Sequence, residues 1–342
     1  MSESNSQNFN HLKIHTQYSI CEGAARIDDL QEYSKKNKIK SLGLCDTSNL
    51  CGALEFAEKI SKSGTQPIIG TQINFKIGEI IGLLPLFALN EDGYKNVIEL
   101  SSFSYLKNDE LSDPHVDFEL LLSNSKGVAV FSGTVFGLFG KLFDKGKFSE
   151  IEELYNKIKN AFDDRFYLEI QRHNDQNEIG FEKFNLKKSL DLEIPIIATN
   201  EVFYLDKEMH EAHDALICIG NKTYVNEKNR LRLTDQHYLK TNSEMSELFA
   251  DLPEALENNY NFPLRCSYRP LFSNPILPNI SSDKDGNADE ILKKDSIDGL
   301  KVKFNKIFNL SDKDLENNNS YKEYKNRLNH ELSIIVEMKY SS

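Results

Sequence analysis

Ile194-Pro195-Ile196-Ile197-Ala198-Thr199-Asn200-Glu201 starts as a short apolar strand and runs directly into polar side chains. Cys45-Asp46-Thr47, Phe131-Ser132-Gly133-Thr134 and Ile170-Gln171-Arg172-His173 repeat the transition. In parallel α/β architectures the carboxyl ends of the strands carry the active site, so these polar ends are where function is expected. Around them, from Phe9 to about Leu205, short apolar runs alternate with amphipathic stretches, the pattern of repeated βα units. Strands are predicted over His11–His15, Ser41–Cys45, Pro67–Phe75, Ile80–Ala88, Gly127–Phe131, Tyr167–Ile170 and Ile194–Thr199. Helices are predicted over Asp28–Asn37, Ala53–Ser61, Tyr94–Ser102, Phe148–Ala161 and Phe181–Leu190.

Beyond His210 the pattern changes to helices and loops, with helical segments at Asp214–Ile219, Ser243–Phe249 and Leu252–Leu256. Pro263, Pro270, Pro275 and Pro278 punctuate the stretch that follows. The expected organisation is a flexible N-terminus over 1–8, one α/β domain over 9–270, a linker over 271–287 and a helical segment over 288–342. Two helices are predicted there, Ala288–Phe308 and Tyr321–Lys339. The second spaces Tyr324, Leu328, Leu332, Ile335 and Met338 as a packing face. The chain stops straight after that face, which reads as a truncated chain.

With 342 residues the chain can bury a full core. Its 41 Lys and Arg against 53 Asp and Glu give a net charge of −12, which disfavours a duplex-binding surface made from the whole chain. A local basic cluster of Arg230 and Arg232 with Lys222, Lys228 and Lys240 reads as a phosphate contact or as a solvated loop. Five cysteines without a CxxC pair support neither a disulfide framework nor a structural zinc site, and they fit a reducing, cytoplasmic setting. No apolar run approaches ~18 residues, so no membrane partner is expected. Ser132–Gly137 lacks the spacing of a phosphate-binding loop and reads as a strand-end turn.

The segment His11-Leu12-Lys13-Ile14-His15-Thr16-Gln17-Tyr18-Ser19 carries histidines on one strand face with Lys13 between them. Paired imidazoles of this kind serve metals, but an ammonium offers no lone pair and repels a divalent cation. The strand therefore either never bound metal or belongs to a decayed site. The plainer alternative is a polar strand end with two unconnected histidines.

His11–Gly23, Leu44–Ala53, Gln66–Gly70, Asn90–Asn96, Phe166–His173, Ile194–Glu201 and Asn229–Arg232 together carry a resemblance that spans nearly the whole chain. They resemble the PHP (polymerase and histidinol phosphatase) domain at the N-terminus of bacterial DNA polymerase III alpha subunits. The resemblance implies an α/β fold, a distorted (β/α)7 PHP-type barrel followed by a mainly helical segment leading toward a polymerase palm, with Tyr321–Lys339 similar to the helix before the palm. The family's polymerase carboxylates lie beyond residue 342. Asp283, Asp285, Asp295, Asp298, Asp312 and Asp314 fall in polar loops or on solvated helix faces. No catalytic residue is therefore expected on this chain, and Mg²⁺ is expected only with the full-length polymerase.

Metal-loaded PHP domains hold up to three ions on His, Asp, Glu and Cys ligands. By motif, His11, Glu22, Asp46 and Glu201 stand at positions that could still ligate, a vestigial set at most. Lys13, Thr47, Gln72, Leu83, Thr134 and Phe203 replace ligands, and Tyr105 aligns with another histidine; His15 and His173 lie in matching motifs. Losing about six ligands removes both the coordination number and the charge of such a centre, so no cofactor is expected. Lys13 is expected to pair instead with Asp46, Glu22 or Glu201. The resemblance implies a DNA-replication role as part of an alpha subunit, DNA being met through the full-length protein. The PHP domain would be a scaffold for the proofreading exonuclease subunit among the other holoenzyme subunits. The alternative is a metal-dependent PHP phosphoesterase or 3′–5′ exonuclease.

Overall fold

The computed structural model describes residues 8–108, 113–275, 287–315 and 317–341. Residues 1–7 of the expected flexible N-terminus lie outside the described residues, as do 276–286 of the expected linker with Pro278, Asp283 and Asp285, and the side chain of Asp312. The chain divides into two compact units, Met1–Phe272 and Ser273–Ser342.

In the first unit the strands are β1 (Lys13–Ile14), β2 (Ser41–Thr47), β3 (Gln66–Ile77), β4 (Ile80–Ala88), β5 (Val116–Asp117), β6 (Val128–Phe131), β7 (Phe166–Ile170), β8 (Ile196–Ala198) and β9 (Glu201–Val202). One sheet runs in the order β2-β3-β4-β6-β7-β8, with β5 alongside β3. β4 is antiparallel to both of its neighbours, whereas the β2–β3, β6–β7 and β7–β8 pairs are parallel. The reversal departs from a pure βα repeat. It follows from Gly78, whose φ of 55° turns β3 straight back into β4 without a helix.

The circle is completed by short strands. β1 pairs with β9 in parallel, Lys13 opposite Glu201. On its other side the Gly43 N–H of β2 donates to the His11 carbonyl at 2.7 Å. A Cβ on Gly43 would lie 2.3 Å from the Leu12 carbonyl oxygen, so only glycine admits the first strand this closely. β1, β2, β3, β4, β6, β7 and the β8–β9 stretch thus occupy successive positions of a distorted barrel, the expected α/β architecture. The predicted strand His11–His15 is regular only at Lys13–Ile14, because its flanking residues bond singly to Gly43 and Val202.

Period-two alternation explains why polarity gathers at one end. Tyr167 and Ile197 point into an inner cluster with Leu12, Cys45, Ile68, Phe87, Ala129, Phe131 and Phe262. Leu168, Ile170, Ile196 and Ala198 face an outer cluster shared with helices such as Phe148–Phe162. Two and four residues beyond Tyr167 on its own face stand Glu169 and Gln171; beyond Ile197 stand Thr199 and Glu201. The inner face thus changes from apolar to polar toward the carboxyl ends.

The second unit contains helices Ala288–Phe308 and Asn319–Glu337. Phe304, Leu315 and Tyr321 form its buried cluster. Of the predicted stripe, Leu332 is buried while Tyr324 and Met338 are exposed; Phe304 packs edge-on against both Tyr321 and Tyr324. Among the described residues no helix is long and apolar enough to cross a membrane.

Candidate functional site at the strand ends

Lys13 is fully buried at the closure of the barrel. Its Nζ lies 3.1 Å from Glu201 Oε1 and 3.5 Å from Glu169 Oε1. Burial works against its charge, yet the Glu169 and Glu201 carboxylates outweigh it and hold the ammonium above the ordinary lysine range. Burial likewise opposes ionisation of Glu201, but Lys13 and His15 keep that carboxyl well below its usual range. His15 Nε2 donates to the same oxygen at 3.1 Å, and its ring stacks on Phe203 at 4.5 Å. Glu169 is fixed further by Thr199 and by Gln171, which donates at 2.9 Å. Of the three partners the sequence allows Lys13, the structure selects Glu201 and adds Glu169.

Asp46 and Glu22 are engaged elsewhere. Asp46, at the end of β2, accepts from the Thr16 N–H (2.6 Å), Thr16 Oγ1 (2.8 Å) and Ser19 Oγ (2.7 Å), so it organises the loop after β1. Burial raises its pKa, partly offset by those donors. Gln72 donates to Thr47 Oγ1 at 3.0 Å, and Thr47 donates to Glu22 Oε2 at 2.6 Å. Gln72, Thr47 and Glu22, all singled out by motif, therefore form a directed hydrogen-bond chain.

His11 does not turn toward this group. Its Nε2 donates to the Lys240 carbonyl at 2.8 Å, and burial pushes its pKa down to about 4. His173 accepts from the Glu201 N–H and donates through Nδ1 to Glu178, which fixes its neutral tautomer; burial pushes it down to about 3. Its ring stacks on His237 at 4.1 Å and 3°. Among the described residues no three His, Cys, Asp or Glu side chains are grouped so as to hold a metal ion. The buried ammonium also occupies the point where carboxylates converge, so the donor set does not fit a di- or trinuclear centre.

Glu22, Gln72, Leu83, Thr134, Glu201 and Phe203 line one cleft of about 290 Å³. The structure thus brings six of the motif-matched positions together, with Lys13 ion-paired and Thr47 hydrogen-bonded to members of the set. It leaves out Tyr105, half exposed on helix Glu91–Leu106, and His11. The basic cluster is also dispersed. Arg230 makes two 2.6 Å bonds to the buried Asp214 carboxylate, and Lys240 is buried with its Nζ on Asn200 Oδ1. Sequence reasoning misses Glu169 and His237. An acid inside the apolar run Phe-Tyr-Leu-Glu-Ile is a usable signal for the first, whereas His237 lies in a loop without periodicity.

The PHP domain family matches this chain over residues 11–173. The chain is 34% identical to the DNA polymerase III subunit alpha of Caulobacter vibrioides, with 99% of this chain and 30% of that protein covered. It is 36% identical to the subunit alpha of Rickettsia conorii, with 97% of this chain and 28% of that protein covered. The chain thus spans less than a third of the length of the curated relatives it matches. Among solved structures, it is similar to an amidohydrolase from Chromobacterium violaceum with bound sulfate and no metal, at 10% identity and a TM-score of 0.40, over 57% of this chain and 87% of that one.

Proposed function

We infer that this chain, which carries a PHP domain of the DNA polymerase III alpha family, acts within a replicative DNA polymerase III alpha subunit as a metal-free scaffold. In this reading the domain holds the proofreading exonuclease subunit beside the polymerase in the cytoplasm. Mg²⁺, DNA and the remaining holoenzyme subunits engage through the full-length protein. The observation that carries the reading is the Lys13 ammonium between Glu169 and Glu201. Hydrolysis in a metal-dependent centre needs a polarising cation beside an open coordination position, and here the cation is a lysine with neither. The barrel core around it is fully packed, which supports a structural use of the domain.

The test combines three measurements on the purified chain. Elemental analysis after Mn²⁺- or Zn²⁺-supplemented expression is expected to find no stoichiometric metal. Turnover of phosphomonoesters and of DNA 3′ ends with Mn²⁺ is expected to be absent. Calorimetry with the exonuclease subunit from the same genome is expected to detect binding without the palm. Two or more tightly held ions with nucleotide release from a DNA 3′ end, and no exonuclease binding by a folded chain, would replace the scaffold with the phosphoesterase or exonuclease alternative.

A further inference from the structure

The cleft at the strand ends is lined on its apolar side by Leu83, Phe136, Phe203, Ile217, Leu231 and Leu233. Its polar side carries Glu201, Gln72 and Glu22 beside Thr134 and Lys141. Glu201 and Gln72 are both more than nine-tenths buried. Glu201 spends Oε1 on Lys13 and His15, and no hydrogen bond among the described residues reaches its Oε2. Gln72 gives its amide N–H to Thr47, and Thr47 gives its hydroxyl hydrogen to Glu22, so the direction of that chain leaves the Gln72 amide oxygen as an acceptor without a donor among the described residues. Glu22 likewise uses only Oε2. The one cation on the lining among the described residues, Lys141, is exposed and tied to the Ile81 carbonyl at 2.8 Å. As part of the cleft lining, these oxygens can take a hydrogen from water or from a ligand that carries donors.

The cleft is also a built enclosure. Leu231 and Leu233 come from a segment remote in sequence from the strands, held by the Arg230–Asp214 pair and by the 3.1 Å bond from His210 Nε2 to the Leu233 carbonyl.

We propose that this cleft binds a primary ammonium carried on a small apolar body, with the ammonium donating to Glu201, Glu22 and Gln72 and the apolar part lying against Leu83, Phe136, Phe203 and Leu231. An ammonium has three donors and a positive charge, which suits two carboxylates and one amide oxygen. Phosphate and carboxylate ligands bring acceptors to oxygens that are themselves acceptors, so they gain no hydrogen bond from Glu201, Glu22 or the Gln72 oxygen. The proposal rests on the metal-free reading of the centre. The ammonium can come from a free amine or from a lysine side chain of a bound polypeptide.

The experiment titrates the full chain, followed by NMR, with three matched probes: isopentylamine, isopentanol and isocaproate. An acetylated, amidated Gly-Lys-Gly peptide represents the second source, and inorganic phosphate serves as control. The amine is expected to bind about tenfold or more tightly than the alcohol, the scale of one charge-assisted hydrogen bond, with shifts confined to the cleft residues and none from isocaproate or phosphate. Glu22→Gln, which keeps the acceptor for Thr47, is expected to erase most of that preference while the chain melts as before. Tighter binding of the peptide than of isopentylamine assigns the ammonium to a protein side chain, and the reverse assigns it to a free amine; either supports the proposal. Equal binding of the three matched probes, or no binding by amine and peptide alike, overturns it. Stoichiometric Mn²⁺ in the same sample would instead remove the metal-free reading on which it rests.

Discussion

Two sites in this chain have the same composition, one lysine facing two carboxylates, and opposite settings. Lys59 bonds Asp28 at 2.5 Å and Glu55 at 2.8 Å on the outer surface of helices Ile27–Asn37 and Ala53–Lys62, with side chains 29%, 56% and 32% exposed. Lys13 sits farther from its partners, at 3.1 and 3.5 Å, but it and Glu169 are wholly enclosed. Distance alone would rank the surface triad first. Solvent reverses the ranking, because water can replace either partner at Lys59 and cannot reach a charge stranded at Lys13. The two triads also differ in place: the enclosed one lies at the strand ends and shares Glu201 with the cleft there, whereas the exposed one lies on the outer helices.

The largest effect is therefore expected at Lys13. Lys13→Ala leaves Glu169 and Glu201 buried without a counter-charge, and loss of one member of a buried pair costs about 3–5 kcal/mol. Urea unfolding should display a drop of that size. Lys13→His should not recover hydrolysis, since Thr47, Gln72, Leu83, Thr134 and Phe203 still offer no replacement ligands. A melting curve unmoved by Lys13→Ala would collapse the distinction between the two triads.

An intermediate effect concerns pH, and it tests whether the enclosure extends beyond Lys13. Burial holds His11 down to about 4, only partly offset by its Nε2–H bond to the Lys240 carbonyl, and its buried Nδ1 has no hydrogen-bond partner among the described residues. The unfolded chain titrates this histidine near its ordinary value of 6.5. Below that value the unfolded state binds the proton and the folded state does not, so stability falls as pH drops from about 7 toward about 4. The melting temperature should decline over that window. In His11→Gln, whose amide can donate to the same carbonyl, the decline should be shallower. An identical slope in both proteins would place the acid sensitivity elsewhere, with His173 the next group to examine.

The barrel was legible to the extent that its elements announce themselves locally. Ile80–Ala88 and Ala288–Phe308 fall where the apolar pattern puts them, residue for residue. The hairpin between β3 and β4 is signalled by Gly78, but a reading set on βα repeats passes over it. Short elements such as Phe118–Ser123 and Leu138–Asp144 carry too few residues for periodicity to register. At the site, motif singled out a set of positions, and six of them share a cleft. What sequence order conceals is assembly: Leu231 and Leu233 reach the cleft from a segment fixed by Arg230 and Asp214, and nothing local to any of these residues marks the contact.

The smallest effect is expected at Lys59, and it sharpens the comparison most cleanly because the ion pairs there are the shorter ones. Both partners hold the Lys59 ammonium above its ordinary range through hydrogen bonds, led by Asp28. Exposed side chains of this kind exchange an ion pair for hydration at little net change, and mobile ions screen what remains. Lys59→Ala should shift the urea midpoint far less than Lys13→Ala, and the small shift should fade further in high salt. The Lys13→Ala deficit should fade less in the same salt, since Glu169 is wholly buried and is screened far less than a surface charge. A salt-resistant loss at Lys59 comparable to that at Lys13 would mean that geometry, not exclusion of water, decides what such a triad contributes.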